Sequence, residues 1–328
     1  MLTFFKKYYK YILIYIVILI ILTMEFPYYI DAPGGIVDIN NRISIEDSYK
    51  SEGTLNLAYV TEYKATAVTL LISLFNSDYK VMSKKESIPK NVQEDDAELI
   101  DRIMLEESYS NAIYVGYTKA EKEVNVKSEK IYVSALLEEA NTDLKVGDQI
   151  LAINGNKINK KEDIDSLFKD YQVGDDIEIT VLKKKKEIKR KAKLINYQDN
   201  TIIGAGLSIV MDMETVPSVD INYKARESGA SGGLMLSLAI YNQLTKEDIT
   251  KGRTIVGTGT IDCDGNVGSI GGVEYKLKSA VKSKADIFLV PNGENYDDAI
   301  KLKKKKGYKI KIVGVSTFDE ALEYLKKK

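Results

Sequence analysis

Residues 228–244 read SGASGGLMLSLAIYNQL, and the reading of this stretch decides the architecture of the C-terminal half. Leu234 to Leu244 is apolar on nearly every face, the pattern of a helix sunk in a core rather than laid on a surface. Small residues from Ser228 to Gly233 lead straight into it. Glycine and alanine let another backbone approach closely, and the head of a buried helix leaves N–H groups free to meet developing negative charge. Ser231 at this junction stands where a nucleophile would, flanked by Gly229 and Gly232. A serine that merely caps the helix is the commoner use of such a loop, so the stretch alone decides no chemistry.

Downstream, Gly257-Thr258-Gly259-Thr260 precedes a turn at Asp262-Cys263-Asp264-Gly265-Asn266. Ser269-Ile270-Gly271-Gly272-Val273-Glu274-Tyr275-Lys276 then opens a helix with Leu277, Ala280 and Val281 on one face. The turn has a faint calcium-loop look, but the twelve-residue ligand set with its terminal glutamate is missing, so an Asp-Gly hairpin is the better reading. Cys263 has no histidine to activate it and reads as incidental.

Composition narrows the chemistry further. The 328 residues contain no histidine, which removes the Ser-His-Asp triad, the Cys-His pair and the H-E-x-x-H zinc site. Acid-base work near neutral pH then falls to a carboxylate, a tyrosine or a lysine. A free lysine near pKa 10.4 is neutral in about one molecule in 2,500 at pH 7, and lowering that pKa by roughly three pH units corresponds to about 4 kcal/mol of burial. A net charge of −1 argues against nucleic acid as the main partner, and the 44% hydrophobic content supports real cores. A single cysteine forms no intrachain disulfide.

Taken together, the serine loop and the I-G-G-x-x-x-K run resemble the proteolytic domain of the Lon family, with its G-P-S-A-G and I-G-G-x-x-x-K loops. Lys276 follows Ser231 by 45 residues, a spacing that fits. The resemblance implies an α+β Lon-type proteolytic domain with Ser231 as nucleophile, Lys276 as general base and Thr258 orienting the dyad. Ala230 replaces the family proline, Gly232 the alanine, and Ser228 stands where an aspartate is frequent. There is no G-x-x-x-x-G-K-[ST] loop, so the implied activity needs neither nucleotide, metal nor other cofactor.

Upstream, Ile131 to Leu137 reads as a strand, and LKVGDQILAINGNKI at 144–158 carries two turns around a short buried strand. Lys161 to Tyr171 has helical periodicity, and strands at Ile177–Leu182 and Ile188–Leu194 flank a lysine-rich tip. This order resembles a PDZ domain, a β-rich fold over 123–196. The resemblance implies that a peptide C-terminus adds beside Ile131 and Val133, against Ile164, Leu167 and Phe168. The loop at Ser128-Glu129-Lys130 lacks the usual glycine and carries the wrong charge for a carboxylate. A docked spacer is the alternative.

At the N-terminus, Tyr11 to Met24 is free of charge and reads as an uncleaved transmembrane helix, since no small-x-small cleavage site follows. Lys6, Lys7 and Lys10 precede it while Glu25, Asp31 and Asp38 follow, which places residues 1–10 in the cytoplasm and the rest outside. Residues 25–122 read as a structural segment with a strand at Thr54–Val60, a helix at Lys64–Phe75, an exposed polar stretch at Lys84–Asp96, a helix at Leu99–Tyr109 and a strand at Ala112–Tyr117. Its strands are expected to complete the catalytic sheet of 197–328. Anchor, PDZ-like and Lon-like parts in this order resemble the PDZ-containing Lon-like proteases of bacterial membranes. That resemblance implies a membrane-bound serine endopeptidase acting on unfolded or membrane-associated proteins. The alternative is an inactive scaffold that binds protein partners through its PDZ-like part. Oligomeric state is not legible.

Overall fold

A computed structural model of the chain describes residues 2–76, 78–84, 94–223 and 227–327. The first sheet draws its strands from both ends of the chain. Helix α1 (Leu2–Thr23) is followed by the early strands β1 (Glu25–Asp38), β2 (Ile43–Ile45), β3 (Thr54–Thr66) and β4 (Lys80–Ser83), with α2 (Ala67–Phe75) between β3 and β4. A long helix, α3 (Glu94–Lys119), leads into a second set: β5 (Glu123–Leu136), β6 (Asn141–Thr142), β7 (Gln149–Ile153), β8 (Asn156–Lys157), helix α4 (Lys161–Leu167), β9 (Asp176–Lys183) and β10 (Lys186–Lys193). Then come β11 (Ile195–Tyr197), β12 (Asn200–Ile202), β13 (Ala205–Val216) and β14 (Val219–Ile221). The C-terminal part holds α5 (Gly233–Leu244), β15 (Thr254–Gly257), β16 (Thr260–Ile261), β17 (Val267–Gly268), α6 (Val273–Lys282), β18 (Ile287–Pro291), α7 (Glu294–Lys306), β19 (Lys311–Val315) and α8 (Phe318–Lys327).

The six-stranded sheet runs β19-β18-β15-β3-β1-β4. Its middle strand, β3, pairs in parallel with β15 and antiparallel with β1, so residues far apart in sequence share one ladder. Side chains alternate across the pleat. Leu55 and Leu57 join the α5 core on one face, and Ala58 joins Val273, Leu277 and Ala280 of α6 on the other. The result is a sheet between two helical layers, with strands before and after the second sheet in sequence. That second sheet runs β13-β5-β7-β9-β10-β6 around Ile131, Ile153, Ile177, Ile179 and Val181, each almost wholly buried.

The segment before Glu123 departs from its reading in three places. Ala112–Tyr117, expected as a strand, is the last part of α3. Its aromatic and β-branched residues favour strands locally, but Ala112, Val115 and Tyr117 are buried against α5. A Cβ on Gly116 would lie 2.7 Å from Ile240 Cγ2, so the two helices meet where only glycine fits. The strand at Thr54 runs on to Thr66, whose hydroxyl caps α2 by accepting the Thr69 N–H at 3.3 Å. A helix forms at Leu2–Thr23, yet among the described residues none is long and apolar enough to cross a membrane. The uncharged run from Tyr11 covers roughly 21 Å of helix against a hydrocarbon core of roughly 30 Å, so the length of that run alone does not support the expected span at 11–24. Residues 85–93 of the polar stretch at Lys84–Asp96 lie outside the described residues.

A chain beginning at Lys122 lacks β1, β3 and β4 and exposes the faces of β15, α5 and α6 that they cover. It should show no cooperative thermal transition for residues 197–327 and should lose them to limited proteolysis. Protection of that region in the shortened chain would contradict the central role of β3.

Candidate active site

Ser231 sits one residue before Gly232, the N-cap of α5. The loop reaches it through Gly229, whose φ of 80° lies in the left-handed region that glycine adopts without strain. Three anchors fix the loop. Gly229 N–H donates to the Asp101 carbonyl at 3.1 Å, the Ser108 hydroxyl donates to the Ala230 carbonyl at 3.0 Å, and Gly259 N–H donates to the Ser231 carbonyl at 2.9 Å. Thr258 follows the end of β15, is fully buried, and donates its hydroxyl to the same Ser231 carbonyl at 3.0 Å.

Lys276 arrives from the opposite face. Gly272 caps α6 at φ 66°, and a Cβ there would lie 2.7 Å from Val60 Cγ2 on β3. The first turn of α6 then carries the side chain inward, where it is 4% exposed. Its amine donates to Ser231 Oγ at 2.9 Å and to Thr258 Oγ1 at 3.1 Å. Burial alone pushes its pKa down to about 8. An amine close to neutrality at hydrogen-bond distance from a helix-head serine can take up a hydroxyl proton. The structure thus brings together Ser231, Thr258 and Lys276 with Gly229 and Gly232.

The residues expected to hold a peptide are placed differently. Ile131, Val133, Ile164 and Phe168 are buried within the second core, and Leu167 packs at its edge. The flank of β5 where a peptide was expected is already laddered to β13, with Val133 opposite Leu207 and Ile131 opposite Ile209. The other flank meets β7 at Ile131 and Tyr132. Backbone groups paired within the chain offer no edge for strand addition, which corrects the peptide-groove reading. Asp262–Asn266 is a hairpin in which the Asp262 carboxylate accepts the Asp264 and Asn266 N–H groups at 3.0 and 2.8 Å.

Sequence reasoning placed a helix at Leu99–Tyr109 but missed that α3 holds the serine loop. Besides Asp101 and Ser108, its Asn111 side chain donates to the Ile261 carbonyl at 3.1 Å, bracing the hairpin after Thr258. An isolated serine or asparagine on a helix carries no sequence signal for such a task.

The chain is matched over residues 114–327 by the family described as Lon protease (S16) C-terminal proteolytic domain. It is 32% identical over 97 residues to the Lon protease of Trichlorobacter lovleyi, an alignment that covers 30% of this chain and 12% of that protein. The chain therefore spans only a small part of the curated relative it matches. Two solved structures show local similarity. One is a solution structure from Geobacillus thermodenitrificans, with 28% identity over 22% of this chain and 85% of its own, at a TM-score of 0.20. The other is the PDZ domain of an SdrC-like protein from Listeria monocytogenes, with 23% identity over 25% of this chain and 92% of its own, at a TM-score of 0.23.

Because the Lys276 pKa is lower in the folded chain than in the unfolded one, the folded state is penalised wherever the amine is protonated. The penalty is complete below about pH 8 and is relieved as pH rises from there towards 10.5. Lys276→Met should therefore melt a few degrees above the unsubstituted chain at pH 7, with the gap closing by pH 10. A variant that melts well below it at pH 7 would show that the amine is stabilising rather than strained. Scanning calorimetry at the two pH values measures this.

Proposed function

The chain belongs to the family of Lon protease (S16) C-terminal proteolytic domains, and from that premise we propose that it hydrolyses peptide bonds with Ser231 as nucleophile and Lys276 as general base. The observation that carries the proposal is the 2.9 Å contact between Lys276 Nζ and Ser231 Oγ in a buried setting. The neutral amine accepts the hydroxyl proton as Oγ bonds to the substrate carbonyl carbon. The carbonyl π electrons move onto oxygen, where N–H groups of the serine loop would stabilise the charge, since Gly233 and Leu234 at the head of α5 already donate to the Ala230 and Gly259 carbonyls at 3.3 and 3.1 Å. Collapse of this intermediate breaks the C–N bond, and the leaving nitrogen takes the proton from Lys276. Water, deprotonated by the same amine, then releases the acyl group from Ser231. Thr258 is bonded to both the amine and the Ser231 carbonyl, so its role is to keep Nζ aimed at Oγ.

The proposed substrates are unfolded or membrane-associated proteins, cleaved without nucleotide. No phosphate-binding loop occurs in the sequence to couple hydrolysis of ATP to unfolding. The location proposed is a membrane with residues beyond 30 outside the cytoplasm, resting on the lysines that precede the apolar run and the carboxylates that follow it. The scaffold reading loses its main support because the strand edge it needs is taken by β13.

Casein incubated with the chain should be cleaved, and Ser231→Ala should abolish cleavage. Lys276→Arg retains charge and much of the volume, but guanidinium stays protonated at any usable pH. It should fold and yet cleave several orders of magnitude more slowly. The control is Lys282→Arg, an exposed site, because Lys278 is engaged with Asp78 at 2.8 Å. Activity should rise through about pH 8 as the amine deprotonates. Substantial serine-dependent cleavage by Lys276→Arg would overturn the dyad.

ATP with magnesium, or EDTA, should each leave the casein rate within about twofold, far below the tenfold that 1.4 kcal/mol represents. Loss of activity on chelation would instead point to a metal requirement.

A further inference from the structure

Helix α2 has no buried residue, and it exposes Val68, Leu71, Ile72, Leu74 and Phe75, the last two at 78% and 89%. Its Thr66 cap and the return strand β4 give it a defined place at one end of the six-stranded sheet. We propose that α2 inserts into a lipid bilayer beside α1, as a second membrane-contacting element that fixes the height of the Ser231 site above the lipid.

The surroundings of α2 identify lipid as the occupant. From Leu13 to Ile21 every side chain of α1 is apolar or aromatic and exposed, so the exposure runs around the whole circumference of the helix. A protein partner covers one stripe of such a helix, whereas hydrocarbon covers all of it. The two helices leave the same end of the sheet, because Glu25, just after α1, is registered opposite Thr66, just before α2. They also touch. Whatever medium surrounds α1 therefore reaches α2. On the sheet side of the helices, Tyr28 and Tyr63 are exposed, Lys64 pairs with Glu25 at 3.7 Å and Lys80 stands opposite Asp31, an aromatic and zwitterionic fringe suited to a headgroup layer. A short apolar helix lying in that layer buries its side chains at the acyl boundary without having to span it.

The arrangement is mechanically tied to the serine site. Asp78, after α2, pairs at 2.8 Å with Lys278 on α6, the helix that carries Lys276. β3 runs from Thr66 at the lipid end to Val60 beneath Gly272, a span of about 20 Å at the rise of a strand. Combined with the peptidase reading, on which this consequence rests, that height selects extended segments lying just outside the membrane. Insertion itself does not depend on the catalytic reading.

The chain contains no tryptophan, so a single introduced indole reports its own surroundings. Full-length Ser231→Ala protein, with Phe75→Trp or separately Leu74→Trp, is reconstituted into vesicles of phosphatidylcholine with or without bromine on the acyl chains. Ile18→Trp on α1 and Tyr197→Trp on the distant β11 serve as references. The expected result is that brominated lipid at least halves the emission of both α2 reporters and of Ile18→Trp, and leaves Tyr197→Trp unchanged. Quenching at Ile18→Trp with none at either α2 position overturns the proposal. So does an unquenched but blue-shifted α2 signal that grows with protein concentration, because a second copy would then cover the face. Casein cleavage by the unsubstituted chain in detergent is a separate readout, so failure of the peptidase reading is not confused with failure of insertion.

Discussion

Holding an amine in an apolar interior with no opposite charge to compensate it requires a frame stiff enough to deny the amine both water and escape. Lys276 is such an amine, and the elements around it supply the stiffness. α5 brings Ser231 from one face of the sheet and α6 brings Lys276 from the other, while β15 ends between them and delivers Thr258. Two of the close approaches are made at glycines. A Cβ at Gly257 would lie 2.4 Å from Met235 Sδ, and one at Gly272 would lie 2.7 Å from Val60. Each glycine brings a backbone nearer than a side chain allows, and the sum of those approaches closes the site around Nζ. At Gly232, where the resemblance leads one to expect alanine, a Cβ would lie 3.0 Å from Leu57 Cδ2, so alanine would need the tip of that side chain to give by a few tenths of an ångström.

The second constraint is delivered by α3, which connects the two sheets to the serine loop. Its Glu107 carboxylate accepts the Ile209 N–H at 2.8 Å, and its Ser110 hydroxyl accepts the Met211 N–H at 3.3 Å. On the same helix, Ser108 holds Ala230 and Asp101 holds Gly229. A single helix thus grips β13 on one side and the Ser231 loop on the other. β13 in turn is laddered along the edge of β5, so α3 ties the second sheet to the loop. Asp148 shows the same closure within that body. Its fully buried carboxylate is bonded at 3.0 Å by Arg190, in the turn that reads most like a PDZ domain.

What was legible in the sequence was what local chemistry determines. Two glycine-rich loops, each opening an apolar helix, announce themselves because few other jobs need that pattern, and the absence of histidine left lysine as the natural base. The strands at Ile131–Leu137, Ile150–Ile153, Ile177–Leu182 and Ile188–Leu194 were legible because their alternation and turns are local as well, whereas β13, beyond the expected boundary at 196, was not. The role of β3 was only half visible. TLNLAYV reads as a strand, but its place between β1 and β15 depends on a pairing across almost 200 residues. α3 was misread because AIYVGY has strand propensity and its helical conformation is imposed by contact with α5 at Gly116. The occupied flank of β5 was invisible for a related reason. Whether a strand edge is open depends on where the chain returns, not on the residues of the strand itself.

The histidine-free design has a consequence for how the site can be tuned. An imidazole near neutrality needs only a neighbouring group to orient it, whereas a lysine must be dried before it can accept a proton. On the proposed dyad, catalytic competence and local stability are opposed through one side chain: the better the pocket excludes water, the more the protonated amine destabilises the fold, and the more of it is neutral. Thr258 eases that opposition without removing it. Its hydroxyl donates to the Ser231 carbonyl and leaves an oxygen lone pair for Nζ, so the amine is oriented by a neutral dipole. A carboxylate in the same place would orient the amine equally well but would raise its pKa and keep the proton on it. The use of a threonine here, and the absence of any charged contributor to the Lys276 shift, therefore belong to one solution: orientation by dipoles, deprotonation by burial.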